Sequence, residues 1–186
     1  ISYCATCDGD FFTGKEIVVV GGGNSALEEA VSLTKYATRV TVVHQFDHFQ
    51  AFQYAVDEAK ANPKISFVMS STIDSFYGDE KLEGVRIKNL VTGEVTDFRT
   101  DGVFIFIGYV PNTEWLNGLV ELNERGEIIA GSDMSTSIGG VFSAGDANAK
   151  RYRQVTTAVA DGTIAALAAA EYLHTKKREQ VELNHA

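Results

Sequence analysis

The chain has 186 residues, 45% of them hydrophobic and 22% charged, an ordinary globular composition with room for one large domain or two small ones. With 16 Lys and Arg against 25 Asp and Glu, the net charge is −9, which argues against nucleic acid and anionic membranes as partners. No apolar run approaches the roughly 20 residues of a membrane span, and no secretory leader is recognisable, so a cytoplasmic protein is expected.

The chain opens on Ile1 rather than Met, with a Cys4-Ala5-Thr6-Cys7 motif almost at the terminus, where most domains fray. The expectation is a piece cut from a longer protein. The apolar run 16–20 predicts a strand, which ends in Gly21-Gly22-Gly23 and enters a helical pattern with Ala26, Ala30, Leu33 and Ala37 on one face. Asn24 or Ser25 is the predicted cap. Residues 39–43 form the next strand, completing a strand–turn–helix–strand unit long enough for a parallel crossover. A helix is predicted over 49–60, stopping before Asn62-Pro63, and a strand over 65–69. Segments 72–77, 82–90 and 94–99 read as an antiparallel meander turning at Thr92-Gly93. Segment 103–107 is wholly apolar, as in a buried sheet. Beyond Thr113 the chain is irregular, with weak strand signals at 127–130 and a short strand at 141–144. A helix is predicted over 154–172, its alanine-rich stretch reading as packed, and a frayed charged tail over 175–186. The fold class is α/β, a Rossmann-like three-layer domain with an antiparallel meander.

Two motifs carry chemistry. Gly21-x-Gly23-x-x-Ala26 follows a strand and opens a helix, the context a dinucleotide turn requires. The first glycine permits the tight turn, the second lets backbone approach a pyrophosphate, and the small Ala26 permits close helix–strand packing. The N–H groups opening the helix, at Asn24 and Ser25, attract phosphate charge. The alternative is a glycine-rich turn without a ligand. Cofactor choice depends on the end of the second strand, which reads His44-Gln45-Phe46-Asp47-His48-Phe49-Gln50. An acidic residue there marks NAD, and arginines mark NADP. Neither stands at the strand end, and Asp47 comes late enough to read equally as a helix cap. A hydrogen bond to a charged group contributes about 1.5–3 kcal/mol, so lacking two or three weakens NADPH binding by orders of magnitude.

Cys-x-x-Cys spacing lets two sulfurs meet in one turn, so disulfide and dithiol interconvert with little motion. Asp8 follows directly and is a candidate proton shuttle; a turn or cap role is the other reading. Zinc needs four ligands, and the remaining candidates are the scattered His44, His48, His174 and His185, so no metal site is expected. Inert surface cysteines are the remaining alternative.

These strings resemble the low-molecular-weight thioredoxin reductases, of the pyridine nucleotide-disulfide oxidoreductase class. Tyr3-Cys4-Ala5-Thr6-Cys7-Asp8-Gly9 resembles their active-site signature, and residues 21–29 their second nucleotide motif. Residues 106–113, with Gly108, resemble the return to the flavin domain. Residues 140–146, followed by Tyr152-Arg153-Gln154, resemble the C-terminal FAD motif. The resemblance implies a pyridine-nucleotide domain over 1–112 and the C-terminal part of an FAD domain over 113–186, without the family's first glycine motif. It implies Cys7 as the thiol facing flavin, Cys4 as the attacker of the substrate disulfide, and Asp8 as acid–base partner. It also implies that Asp146 bonds the FAD ribitol and that Arg153 and Gln154 lie near the flavin edge; the plainer readings are an Asx-type turn for Asp146 and a solvated charge for Arg153. The implied cofactors are FAD with NADPH or NADH. The partner is thioredoxin or a similar small disulfide protein, and the assembly a homodimer. The family's histidine and three arginines correspond here to His44, Gln45, Phe46 and Gln50, which leaves the donor open between NADPH, NADH and ferredoxin. The flavoprotein subunit of alkyl hydroperoxide reductase shares these motifs, and an inert nucleotide-binding fragment is the non-enzyme alternative.

Overall fold

The computed structural model describes residues 1–185. A single helical turn, α1 (Ala5–Asp8), and a 3-10 turn, Gly9–Phe12, lead into β1 (Glu16–Val20), α2 (Asn24–Leu33), β2 (Arg39–Val43), α3 (Gln53–Ala61) and β3 (Ile65–Val68). The meander β4 (Ser71–Tyr77), β5 (Gly84–Asn89) and β6 (Val95–Arg99) follows, and β7 (Gly102–Ile105) returns to the first sheet. The parallel sheet has the order β3-β2-β1-β7, and the antiparallel sheet the order β4-β5-β6. The chain divides into two units, residues 1–108 and the segment from Tyr109 onward.

Both faces of the parallel sheet are covered, which explains why its strands are continuous apolar runs. Ile17, Val19, Val40, Val42 and Phe104 pack with Ala26, Leu27, Ala30 and Leu33 of α2 and with Ala55, Val56 and Ala59 of α3. The alternate residues Val18, Val43 and Val103 pack with Val85 and Ile87 of the meander. This is the expected three-layer arrangement. Each fully buried Val or Leu contributes about 1.5–3 kcal/mol. The turn at Thr92-Gly93 forms as read, with Gly93 at φ +76° and its N–H on Asn89 O at 2.9 Å.

Several local expectations are corrected. Neither Asn24 nor Ser25 caps α2: Gly23 stands at the cap position with no side-chain bond, because Asn24 Oδ1 instead accepts from Phe52 N at 2.7 Å. That contact fixes the start of α3, which begins four residues later than predicted. Asp47 does not cap α3 either, since its carboxylate holds His48 Nδ1 at 2.6 Å. Ala37 lies past the end of α2 but is fully buried, its N–H on Leu33 O at 2.9 Å.

The second unit differs more from its prediction. Residues 141–144 form no full strand, only an antiparallel bridge between Phe142 and Ser135, with Thr136 N on Val141 O at 3.0 Å and Ser143 N on Met134 O at 2.9 Å. The signals at 127–130 give bridges from Ile128 to Leu122 and Asn148. The last helix, α4 (Val155–His185), runs through the tail that reads as frayed. Lys, Arg and Glu are good helix formers, and Lys176 pairs with Glu179 at 2.9 Å. Nor is α4 packed as expected: Val155 is 81% exposed and Leu167 68%. No helix among the described residues is long and apolar enough to cross a membrane.

Candidate functional site

Cys4 and Cys7 form a disulfide with Cα atoms 5.3 Å apart. Cys4 caps α1, its Sγ accepting from Cys7 N at 3.1 Å; Cys4 is half-buried and Cys7 exposed. The pair is held to the sheet from both sides. Upstream, Ser2 bridges to β7, with Ser2 N on Val103 O at 2.8 Å and Ile105 N on Ser2 O at 2.9 Å. Downstream, Phe12 packs edge-on against Phe104, ring centroids 5.0 Å apart. It fills the space over Gly102, where an added Cβ would come within 2.1 Å of the Phe12 ring. Asp8 is half-buried and accepts from Ser2 Oγ at 2.7 Å.

On the neighbouring strand, β1 ends in the glycine turn. Gly21 has φ +137°, and a Cβ there would meet Phe106 O at 2.3 Å and the Ala26 methyl at 3.0 Å. Ala26 is fully buried at that contact, the close helix–strand packing expected of it. Gly22, to which the sequence reading gave no role, is as constrained: a Cβ would meet the His44 ring at 2.4 Å. Gly23 is different. Its φ is −89°, and the nearest atom to an added Cβ is Gln50 O at 3.9 Å. The fold demands glycine at 21 and 22 but not at 23. A backbone left bare where the chain itself does not need it, at an uncapped helix start, has the form of a phosphate cradle.

The turn opens on a cleft of about 890 Å³ at the C-terminal ends of β1, β2 and β7, where ligands bind in open parallel sheets. Gly21, Gly23, Asn24, Ser25, His44 and Gly108 all line it. Gly108 has φ +90°. His44, just beyond β2, is 4% exposed. Its Nε2 is buried without a hydrogen-bond partner among the described residues. Burial pushes the imidazole below its ordinary value of 6.5, and neighbouring His48 adds to this through charge while a backbone hydrogen bond opposes it. No Lys, Arg, Asp or Glu lines the cleft, so its polar groups are backbone amides, Asn24, Gln45, Gln50, hydroxyls and the His44 imidazole.

The remaining predicted residues, Asp146, Arg153 and Gln154, belong to the second unit. Asp146 stands largely exposed, with Lys150 Nζ 3.8 Å away. Lys150 bonds Asp161 more closely, at 2.7 Å, and Gly145 N donates to that same carboxylate oxygen at 3.1 Å. Arg153 is not a solvated charge: its Nη2 lies 2.5 Å from Glu127 Oε1, its Nε 3.3 Å from Asp146 O, and its guanidinium 4.3 Å from the Tyr109 ring centroid. Glu127, 5% exposed, also accepts from the Tyr109 hydroxyl and from Asn123 Nδ2, the latter at 2.6 Å. The Tyr109 and Asn123 donors, then the arginines, hold its carboxyl below the ordinary 4.5. Gln154 precedes α4, its N–H on Thr157 Oγ1 at 3.1 Å. Ser2, Gly22, Glu127 and Asp161 escaped the sequence reading. For Gly22, the third glycine of the run was signal enough; the other three become visible only through contacts distant in sequence or dependent on local fold.

The pyridine nucleotide-disulphide oxidoreductase profile matches residues 1–162. A thioredoxin reductase of Peptoclostridium acidaminophilum is 45% identical over 185 residues, covering 96% of this chain and 59% of the relative. The "34.2 kDa protein in rubredoxin operon" of Clostridium pasteurianum is 46% identical over 176 residues, covering 95% and 57%. The crystal structure of a thioredoxin reductase from Streptococcus pyogenes superposes with a TM-score of 0.87 at 44% identity, covering 94% of this chain and 57% of that one. The chain thus spans somewhat under three-fifths of the length of these relatives. The disulfide turn, the glycine turn and the three-layer sheet all lie within the matched span, and the chain belongs to the pyridine nucleotide-disulphide oxidoreductase family.

Proposed function

We propose that this chain is the dithiol-bearing nucleotide domain and the C-terminal part of the FAD domain of a thioredoxin reductase, with a boundary near residues 108–112. The observation that carries the reading is a disulfide and a bare glycine turn mounted on adjacent strands, β7 and β1, of one sheet. When bound, FAD supplies two-electron transfer between a donor and the disulfide. Cys7 is the sulfur that would face it, and in the dithiol form the Cys4 thiolate attacks the disulfide of thioredoxin, bonding to one sulfur as the partner's S–S bond breaks. The Cys7 thiolate then displaces thioredoxin from Cys4, restoring the Cys4–Cys7 bond and releasing the dithiol product. Asp8 takes up and returns the proton that follows these charges. Asp146 has an available carboxylate for the FAD ribitol; Arg153 is already bonded to Glu127, so its part is to shape the loop before α4. Gln154 lies beside it.

The cleft suits the pyrophosphate of a dinucleotide and lacks any cation for a 2′-phosphate. By the family resemblance Gln45, Phe46 and Gln50 stand at the arginine positions, and burial lowers the His44 pKa, which disfavours its cationic form. NADPH is therefore the disfavoured donor. Mixing the full-length flavoprotein with NADPH, NADH or reduced ferredoxin in stopped flow tests this. Slow flavin reduction by NADPH is expected, and rapid reduction by it overturns the account of the cleft. Two of the relatives described above carry the name thioredoxin reductase, which favours thioredoxin over the partner of a hydroperoxide reductase. A homodimer in the cytoplasm, where dithiols stay reduced, completes the reading.

A further inference from the structure

Ser2 is 4% exposed and lies at the root of the disulfide turn. Two backbone hydrogen bonds, to Val103 and Ile105, build it into the edge of β7. Its Oγ is 2.7 Å from Asp8 Oδ2, 3.1 Å from Cys4 N and 3.3 Å from Cys4 O. A hydroxyl has one proton to give and two lone pairs to offer. The carboxylate is both the nearest and the only charged acceptor, and charge-assisted bonds are roughly twice as strong as neutral ones. The proton therefore points at Asp8, and the Cys4 N–H donates to the same oxygen. Asp8 N closes the circuit on Cys4 O at 3.2 Å.

We infer that Ser2 is a positioning residue of the dithiol centre, its hydroxyl clamping the Asp8 carboxylate and Cys4 together and tying both to β7. The inference rests on the redox reading of Cys4, Cys7 and Asp8 given above. It adds no bond-making step, since Ser2 keeps its proton throughout. Its consequence is electrostatic. Asp8 directly follows Cys7, and its carboxylate is tied through Ser2 Oγ to the Cys4 N–H; a negative charge so placed disfavours the thiolate. With the hydroxyl gone, the half-buried Asp8 turns toward water and its charge leaves the sulfurs.

The test uses the 186-residue chain, reduced with dithiothreitol, freed of it, and alkylated with iodoacetamide from about pH 5 to pH 10, where the thiolate is the reacting form. Ser2→Ala is expected to lower the reactivity midpoint by about half a pH unit, roughly a threefold gain in rate at a fixed pH below it. Ser2→Thr should restore the midpoint, and Ser2→Ala should add nothing in an Asp8→Asn background. A midpoint unmoved or raised in folded Ser2→Ala overturns the inference, and so does a shift that persists with Asp8→Asn. Should Ser2→Ala fail to fold, Ser2→Thr against Ser2→Val gives the same comparison, equal in shape with and without the hydroxyl. Sulfurs that no dithiol can reduce contradict the redox reading itself, whereas reducible sulfurs indifferent to Ser2 contradict only the clamp.

Discussion

The two units are held together by different forces. Among the described residues, every buried apolar side chain except Val120 and Ile128 lies before Gly108. The first unit is a layered core in which two helices and a meander sandwich a four-stranded sheet. The second is organised around polar hubs: Glu127 gathers Tyr109, Asn123 and Arg153, and Asp161 gathers Lys150 and Gly145 N. Apolar burial is non-directional and tolerant, whereas a polar hub is worth its full value only when every member is in place. The first unit thus carries the disulfide turn and the cleft on a layered apolar core. The second leaves Val155, Val159 and Leu167 of α4 exposed, a helix with far less burial than its sequence invites.

The largest effect that sharpens this contrast comes from truncating a leucine in each unit. Leu27, fully buried, should lose about 2–5 kcal/mol as Leu27→Ala. Leu167→Ala, on the open face of α4, should change stability by less than about 0.5 kcal/mol. Urea unfolding measures both, and equal losses would break the distinction.

Next in size is the glycine turn. Gly21→Ala forces a Cβ against Phe106 O at φ +137° and should destabilise by about 1–3 kcal/mol. Gly23→Ala meets nothing closer than Gln50 O at 3.9 Å and should leave the melting temperature unchanged while weakening dinucleotide binding measured by calorimetry. A destabilised Gly23→Ala would return that glycine to a purely structural role.

The smallest effects are in pH. His44 has a folded pKa below 6.5, so the unfolded chain binds the proton first, and the first unit loses stability as pH falls from about 6.5 through the folded value. Glu127 has a folded pKa below 4.5. Its contribution is complete above that value and is lost as pH falls from 4.5 through the lower folded pKa. Trp115 is the only tryptophan and belongs to the second unit, so its fluorescence should report the later transition alone. Glu127→Gln should weaken that acid transition and leave the part carried by Asp133 and Asp161, whose carboxyls are also held below their ordinary value by hydrogen bonds from Ser135 and Lys150.

Legibility in the sequence followed the same division. The run Glu16–Val20, its glycines and the spacing Ala26-Ala30-Leu33 are periodic and local, and they gave the strand, turn and helix almost to the residue. The meander was readable because alternation and Thr92-Gly93 are local too. Glu127 and Asp161 were not, since a single acid in an irregular or alanine-rich stretch carries no period and acquires meaning only from its partners. Ser2 sits one residue from the chain start and is defined by β7, a hundred positions away. Residues 141–144 have strand composition but pair only through a single bridge to Ser135, and in the tail of α4 the density of charge masks the helix propensity of Lys, Arg and Glu. The dithiol and the glycine turn were legible as motifs, but the sequence could not show which glycines the fold itself requires.

Reduction of thioredoxin disulfide by the full-length flavoprotein, measured with Cys4→Ser and with Cys7→Ser, tests the central claim most directly. Both variants should fall to the background rate while their flavin is still reduced by its donor. A variant that still turns over near the wild-type rate would contradict a relay through this pair of sulfurs.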